Sequence, residues 1–228
     1  SKIIVLSGSP RRQSSSLKLA QTLAASATNA GSEVEIIETT RMNIQYCRGC
    51  DYCRSHNGVC VIQDDMAAIL AKIEEADIVV LASPLYFRSF SAQLKTCIDR
   101  FYCRHHAKTL KGKGSVLIVT SGNNNPEVME SFYQIYRDLI KLLGWDDRGI
   151  IWAGGCRSGD FDSIDPLVAS LEAAEDLGRS LGEWVVEMPK RCYFRLYFMF
   201  WLVFILCFGV LPGSSNCVAL IAAQKLIA

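Results

Sequence analysis

The chain has 228 residues, 24 Lys+Arg against 23 Asp+Glu, half of its residues hydrophobic, and ten cysteines. A net charge of +1 removes the excess of cations that a phosphate-tracking nucleic-acid surface needs, and the apolar content excludes a disordered chain. A chain this long buries a core without disulfide staples, and no cleavable signal pattern opens it, so the expectation is a reducing, cytoplasmic compartment where clustered cysteines serve metal or redox chemistry.

Ile3–Leu6 is the first of five short apolar runs, followed by Val34–Ile37, Ile78–Leu81, Val116–Val119 and Ile150–Trp152. Continuous rather than alternating runs indicate strands covered on both faces, as in a parallel sheet. Between them lie segments of helical period: Met66, Ile69, Leu70 and Ile73 share one face, as do Phe132, Ile135, Tyr136, Leu139 and Leu143. Asp64-Asp65 reads as a pair of acids opening a helix, and Asp165-Pro166 as a cap followed by a first-turn proline. Five β-α units in a row predict a three-layer doubly wound domain, whose chemistry belongs in the loops after the strands.

The loop after the first run, Ser7-Gly8-Ser9-Pro10-Arg11-Arg12-Gln13-Ser14-Ser15-Ser16, has neither P-loop nor dinucleotide-fingerprint spacing. It offers a small-residue turn, hydroxyls and an arginine at a helix start. That is either a monophosphate site or a serine-capped helix with solvated arginines. After the third run, Ser83-Pro84-Leu85-Tyr86-Phe87-Arg88 is either a flat apolar wall for a planar ring or ordinary core aromatics. His105 and His106 are adjacent, so they face different ways on a helix and read as surface residues.

Cys47, Cys50, Cys53 and Cys60 form C-x2-C-x2-C-x6-C in the loop before Asp64. Three thiols at spacings of three with a fourth close by can wrap a 4Fe-4S cubane. Zinc and free redox-active thiols stay open beside it. The other cysteines, at 97, 103, 156, 192, 207 and 217, show no ligand spacing and read as core or tail residues.

GSPR followed by hydroxyl residues, C-x-G-C-x-x-C followed by Asp64-Asp65-Met66, and S-P-x-Y leading to Lys95 and Asp99-Arg100 together resemble the NADPH-dependent FMN reductase family of flavodoxin-like proteins. The cysteine cluster resembles that of its iron–sulfur flavoproteins. The resemblance spans residues 2 to about 182. It implies a flavodoxin-like α/β fold with a five-stranded parallel sheet in the order 2-1-3-4-5, and FMN with NAD(P)H as co-substrate. Ser9, Arg11, Ser14, Ser15 and Ser16 would hold the FMN phosphate. Pro84, Leu85, Tyr86 and Phe87 would line the isoalloxazine ring, and Ser121 and Gly122 would complete its pocket. The family often has Gly-Asn-Thr where this chain has Ser14-Ser15-Ser16, and serine keeps the donor hydroxyl. Relatives are commonly dimers or tetramers, which implies a homo-oligomer.

From Cys192 onward Arg195 and Lys225 are the only charges, and Leu196–Leu211 is unbroken apolar sequence. The expected division is therefore a domain over 1–188 and a hydrophobic tail over 189–228. That tail is either a membrane contact through residues 193–211, with Lys190, Arg191 and Arg195 on the cytoplasmic side, or sequence foreign to the family pattern.

Three functions compete. The first is an FMN-dependent NAD(P)H oxidoreductase that reduces a small acceptor such as a quinone or flavin. The second is an iron–sulfur electron carrier serving a ferredoxin-like partner, with the cysteine loop at the same sheet end as the flavin loops. The third is a non-catalytic, membrane-tethered module.

Overall fold

The computed structural model describes residues 1–156 and 165–183. The tail from residue 189, with its expected membrane contact and Cys192, Cys207 and Cys217, lies outside the described residues. Among the described residues no helix is long and apolar enough to cross a membrane.

Five parallel strands form one sheet: β1 (Lys2–Ser7), β2 (Glu33–Glu38), β3 (Ile78–Pro84), β4 (Gly114–Thr120) and β5 (Asp146–Ala153). Their order is β2-β1-β3-β4-β5, with Ile3 beside both Val34 and Ile78. Alternation along each strand divides the core. Ile4, Leu6, Val79, Leu81, Leu117 and Val119 face one cluster, and Ile3, Val5, Val80, Val116, Ile118 and Ile151 face the other. The first cluster is closed by α3 (Met66–Glu75), α4 (Ala92–Asp99), α5 (Tyr102–Ala107) and α6 (Glu127–Leu143). The second is closed by α1 (Ser15–Asn29) and α7 (Asp165–Glu183). A short α2 (Tyr52–Ser55) interrupts the cysteine loop.

This is the doubly wound, flavodoxin-like order that the sequence predicts. On α3 the expected face is buried entire. On α6 Phe132, Tyr136 and Leu143 are buried as expected and Leu139 packs against the core, but Ile135 is exposed, while Val128, Met129 and Ile140 lie inside. β2 lies at the sheet edge, and its Glu33 and Glu35 are exposed, so this strand is not covered on both faces.

Candidate functional site

Four loops at the carboxyl edge of the sheet enclose a cavity of about 360 Å³ lined by Ser9, Arg11, Ser14–Ser16, Pro84–Tyr86, Thr120, Gly122 and Cys156. The β1 loop enters α1 through Ser14, an N-cap in extended backbone whose Oγ accepts from Leu17 N at 3.1 Å. Ser16 is fully buried, with its Oγ 3.5 Å from that of Ser14. The N–H groups of Ser15 and Ser16 stand in the first helical turn, where no intrahelical acceptor exists.

Gly8 fixes this loop against α4. Its carbonyl accepts from Ser91 Oγ at 2.6 Å, and a Cβ on it would stand 2.5 Å from Leu94 Cβ. Ser91 is also the N-cap of α4, accepting from Leu94 N.

The β3 loop supplies the apolar wall. Leu85 N donates to Thr120 O at 2.7 Å, pinning that loop to the end of β4. Tyr86 and Ser89 then close a tight turn with Phe87 and Arg88 both at positive φ. Phe87 is thereby thrown fully into solvent, away from the cavity that Tyr86 lines. Ser121 is absent from the lining too. Its Oγ donates to Asn123 O and accepts from Trp152 Nε1, so the hydroxyl is spent on the loop itself. The sequence reading misses Thr120 and Cys156. Thr120 is the last residue of β4 and Cys156 lies just past β5, and only the rule that ligands bind at the carboxyl ends of strands points to them.

The four cysteines of the loop before Asp64 line a second, much smaller cavity of about 20 Å³, together with Arg48, Asp51, Val61, Ile62, Arg100, Tyr102 and Cys103. Gly49, Asp51, Asn57 and Gly58 at positive φ coil this loop tightly. A Cβ on Gly58 would meet Ala107 Cβ at 2.8 Å, so the loop lies directly on α5. Cys53 is buried, Cys47 and Cys60 half-buried, and Cys50 exposed. Burial pushes the Cys53 thiol up. Cys103, read from sequence as core, belongs to this wall, and burial pushes its thiol up to about 11.

The cavity stands beside the junction of α4 and α5. The 27 residues between β2 and α3 carry the cysteines to this wall, where Arg100 meets Asp64 at the start of α3.

Arg100 and Asp64 tie this region together. Arg100 Nη1 donates to Asp64 Oδ2 and to Gln45 O, each at 2.7 Å, and Nη2 to Asp64 Oδ1 at 3.0 Å. Their side chains are 2% and 0% exposed. Burial alone would raise the Asp64 carboxyl, but Arg100 and the backbone N–H groups of Gln45 and Met66 hold it below the usual carboxylate range. Burial likewise opposes the charge on Arg100, and the Asp64 carboxylate more than restores it.

A family model for NADPH-dependent FMN reductase matches residues 1–138. An iron–sulfur flavoprotein of Archaeoglobus fulgidus is 38% identical over 183 residues, covering 80% of this chain and 79% of that one. The chain belongs to the NADPH-dependent FMN reductase family. A second iron–sulfur flavoprotein, from Methanocaldococcus jannaschii, is 32% identical over 83% of this chain and the whole of its own. An NAD(P)H:quinone oxidoreductase from Methanothermobacter marburgensis shares the fold with a TM-score of 0.65 at 18% identity, over 79% of this chain and 96% of that one. With the family come FMN as cofactor and NAD(P)H as co-substrate.

The first cavity of this FMN reductase family member fits FMN in volume and in donor set, with hydroxyls, a cation and free N–H groups at one end and an apolar wall at the other. The second cavity fits an anionic iron–sulfur centre in the kind of its donors, four thiols with a buried cation in the same wall. Among the described residues no three His, Cys, Asp or Glu side chains are gathered to hold a single metal ion.

Proposed function

We propose that this protein is an FMN-dependent NAD(P)H oxidoreductase that passes reducing equivalents to a small acceptor such as a quinone or a flavin. The observation that supports it best is the single cavity in which the hydroxyl-and-arginine loop after β1 meets the apolar loop after β3. When bound there, FMN would accept a hydride from NAD(P)H and yield electrons to the acceptor. Ser9, Arg11, Ser14, Ser15 and Ser16 hold its phosphate by charge-assisted and helix N-terminal hydrogen bonds. Pro84, Leu85 and Tyr86 would line the ring, and Thr120, Gly122 and Cys156 would complete its pocket.

Arg11→Ala with Ser16→Ala tests the phosphate assignment, because each lost contact to a charged group is worth about 1.5–3 kcal/mol. FMN affinity, measured by fluorescence quenching, should fall at least tenfold. An unchanged affinity would place the phosphate elsewhere.

A second reading is an iron–sulfur electron carrier that exchanges single electrons with a ferredoxin-like protein. It is favoured by the convergence of Cys47, Cys50, Cys53 and Cys60 on one cavity and by the names of the relatives. Anaerobic reconstitution with iron and sulfide should then give about four irons per chain. Cys50→Ser should abolish the uptake without removing FMN. A wild-type chain that takes up no iron while oxidising NAD(P)H leaves the simple reductase.

A further inference from the structure

Arg100 closes the C-terminal end of α4 and forms part of the wall of the cysteine cavity. Its two terminal nitrogens are committed to Asp64 and Gln45, and its Nε is buried without an acceptor. Buried donors are seldom left unmet, and one that belongs to a cavity wall marks where an acceptor is wanted. The other polar groups of the wall are engaged or wet. Tyr102 Oη donates to Asp51, Cys103 Sγ donates to the Arg100 carbonyl, and Arg48 is exposed.

We propose that Arg100 is the charge partner of the cysteine site: held by Asp64, it donates its Nε–H to a sulfur of the iron–sulfur centre that Cys47, Cys50, Cys53 and Cys60 hold, and its charge favours the reduced form of that centre. The proposal rests on the cluster reading above. A centre ligated by four thiolates is anionic, and each one-electron reduction adds one further negative charge, with no bond made and no proton moved at Arg100; the two electrons of a hydride given to FMN by NAD(P)H would reach it and pass on to the acceptor one at a time. A fixed cation nearby stabilises the more negative form more. Hydrogen bonds to cluster sulfurs and nearby charge are the levers by which a protein sets such a potential. Arg100 carries that influence and Arg48 does not, because a buried charge acts through a low dielectric while an exposed one is screened by water and salt.

The test uses the full chain, reconstituted anaerobically with iron and sulfide, and reads the midpoint potential of the iron–sulfur centre by a redox titration followed spectroscopically. Arg100→Gln should make reduction at least tenfold less favourable, about 59 mV lower for one electron. Arg100→Lys, which keeps the charge and loses the fork, should fall by less. Asp64→Asn, which removes the opposing charge, should raise the potential. A merely structural ion pair would move Arg100→Gln and Asp64→Asn in the same direction, since both break the same contact and unsettle the same loop. Should Arg100→Gln fail to fold, the opposite signs expected of Arg100→Lys and Asp64→Asn decide the matter. Unmoved potentials, or shifts of one sign, overturn the role of Arg100 and leave the cluster standing. A wild-type chain without iron overturns the cluster reading and the proposal together.

Discussion

Asp64 stands where a helix start is expected to carry an acid, and its Oδ1 does accept from Met66 N at the beginning of α3. Its stronger partner is Arg100, 36 residues away. Asp64 is held below the ordinary carboxylate range in the fold, so it contributes stability that is present above its unfolded value of about 3.9 and is lost as pH falls through the folded value. Urea unfolding should therefore show stability dropping steeply with acidity below about pH 4. Asp64→Asn should lack that component and be about 3–5 kcal/mol less stable at neutral pH, the usual effect of removing one member of a buried pair. Equal acid sensitivity in the two proteins would show that this carboxylate is not the group responsible. Sequence displayed both residues, in Asp64-Asp65 and Asp99-Arg100, but no periodicity links them, and their pairing is a product of the fold. Tyr86 and Phe87 make the same point in reverse. They are equally plausible as ring contacts in the sequence, and only the turn that puts Phe87 and Arg88 at positive φ sends one of them outward.

Among the elements, α4 does most to organise chemistry. Its N-cap Ser91 touches Gly8 in the β1 loop, and its C-cap Arg100 lines the cysteine cavity. Nine residue steps at 1.5 Å each set these ends about 14 Å apart. The two cavities share no lining residue, so this helix acts as the spacer between them. The absence of a side chain at Gly8 lets α4 approach that closely. The strands β1, β3 and β4 were legible because their apolar runs are buried on both faces, and the edge strands β2 and β5 kept enough apolar residues to be read with them. On α6 only Ile135 was misplaced, because Ile135 and Ile140 are equally apolar and period alone does not choose between neighbouring positions at the edge of a face. The placement of the cysteine loop was not legible at all. A long connection without periodic pattern does not reveal which helix it packs on, and here Gly58 against Cys103 and Ala107 shows that it is α5.

At the scale of the whole molecule, the two apolar clusters run from Ile3 to Leu181, and the lining of both cavities from Ser9 to Cys156. Every residue assigned here to FMN or to the cysteine site therefore lies well before Lys190. The α1 and α7 helices already close one face of the sheet, and α3 to α6 the other. A chain ending at Lys190 should on this account fold cooperatively, remain in solution after high-speed centrifugation and bind FMN with the affinity of the full chain. Its flavin absorbance and a fluorescence titration measure this directly. Loss of FMN on truncation would mean that the segment from residue 191 completes the domain, against the self-contained core described above. The same pair of proteins separates the two expectations for residues 189–228. Sixteen uninterrupted apolar residues, Leu196–Leu211, with Lys190, Arg191 and Arg195 before them, should hold the full chain in the membrane fraction through carbonate extraction if they act as an anchor. Recovery of both forms in the soluble fraction at equal yield would set that role aside and leave the oxidoreductase domain to act alone.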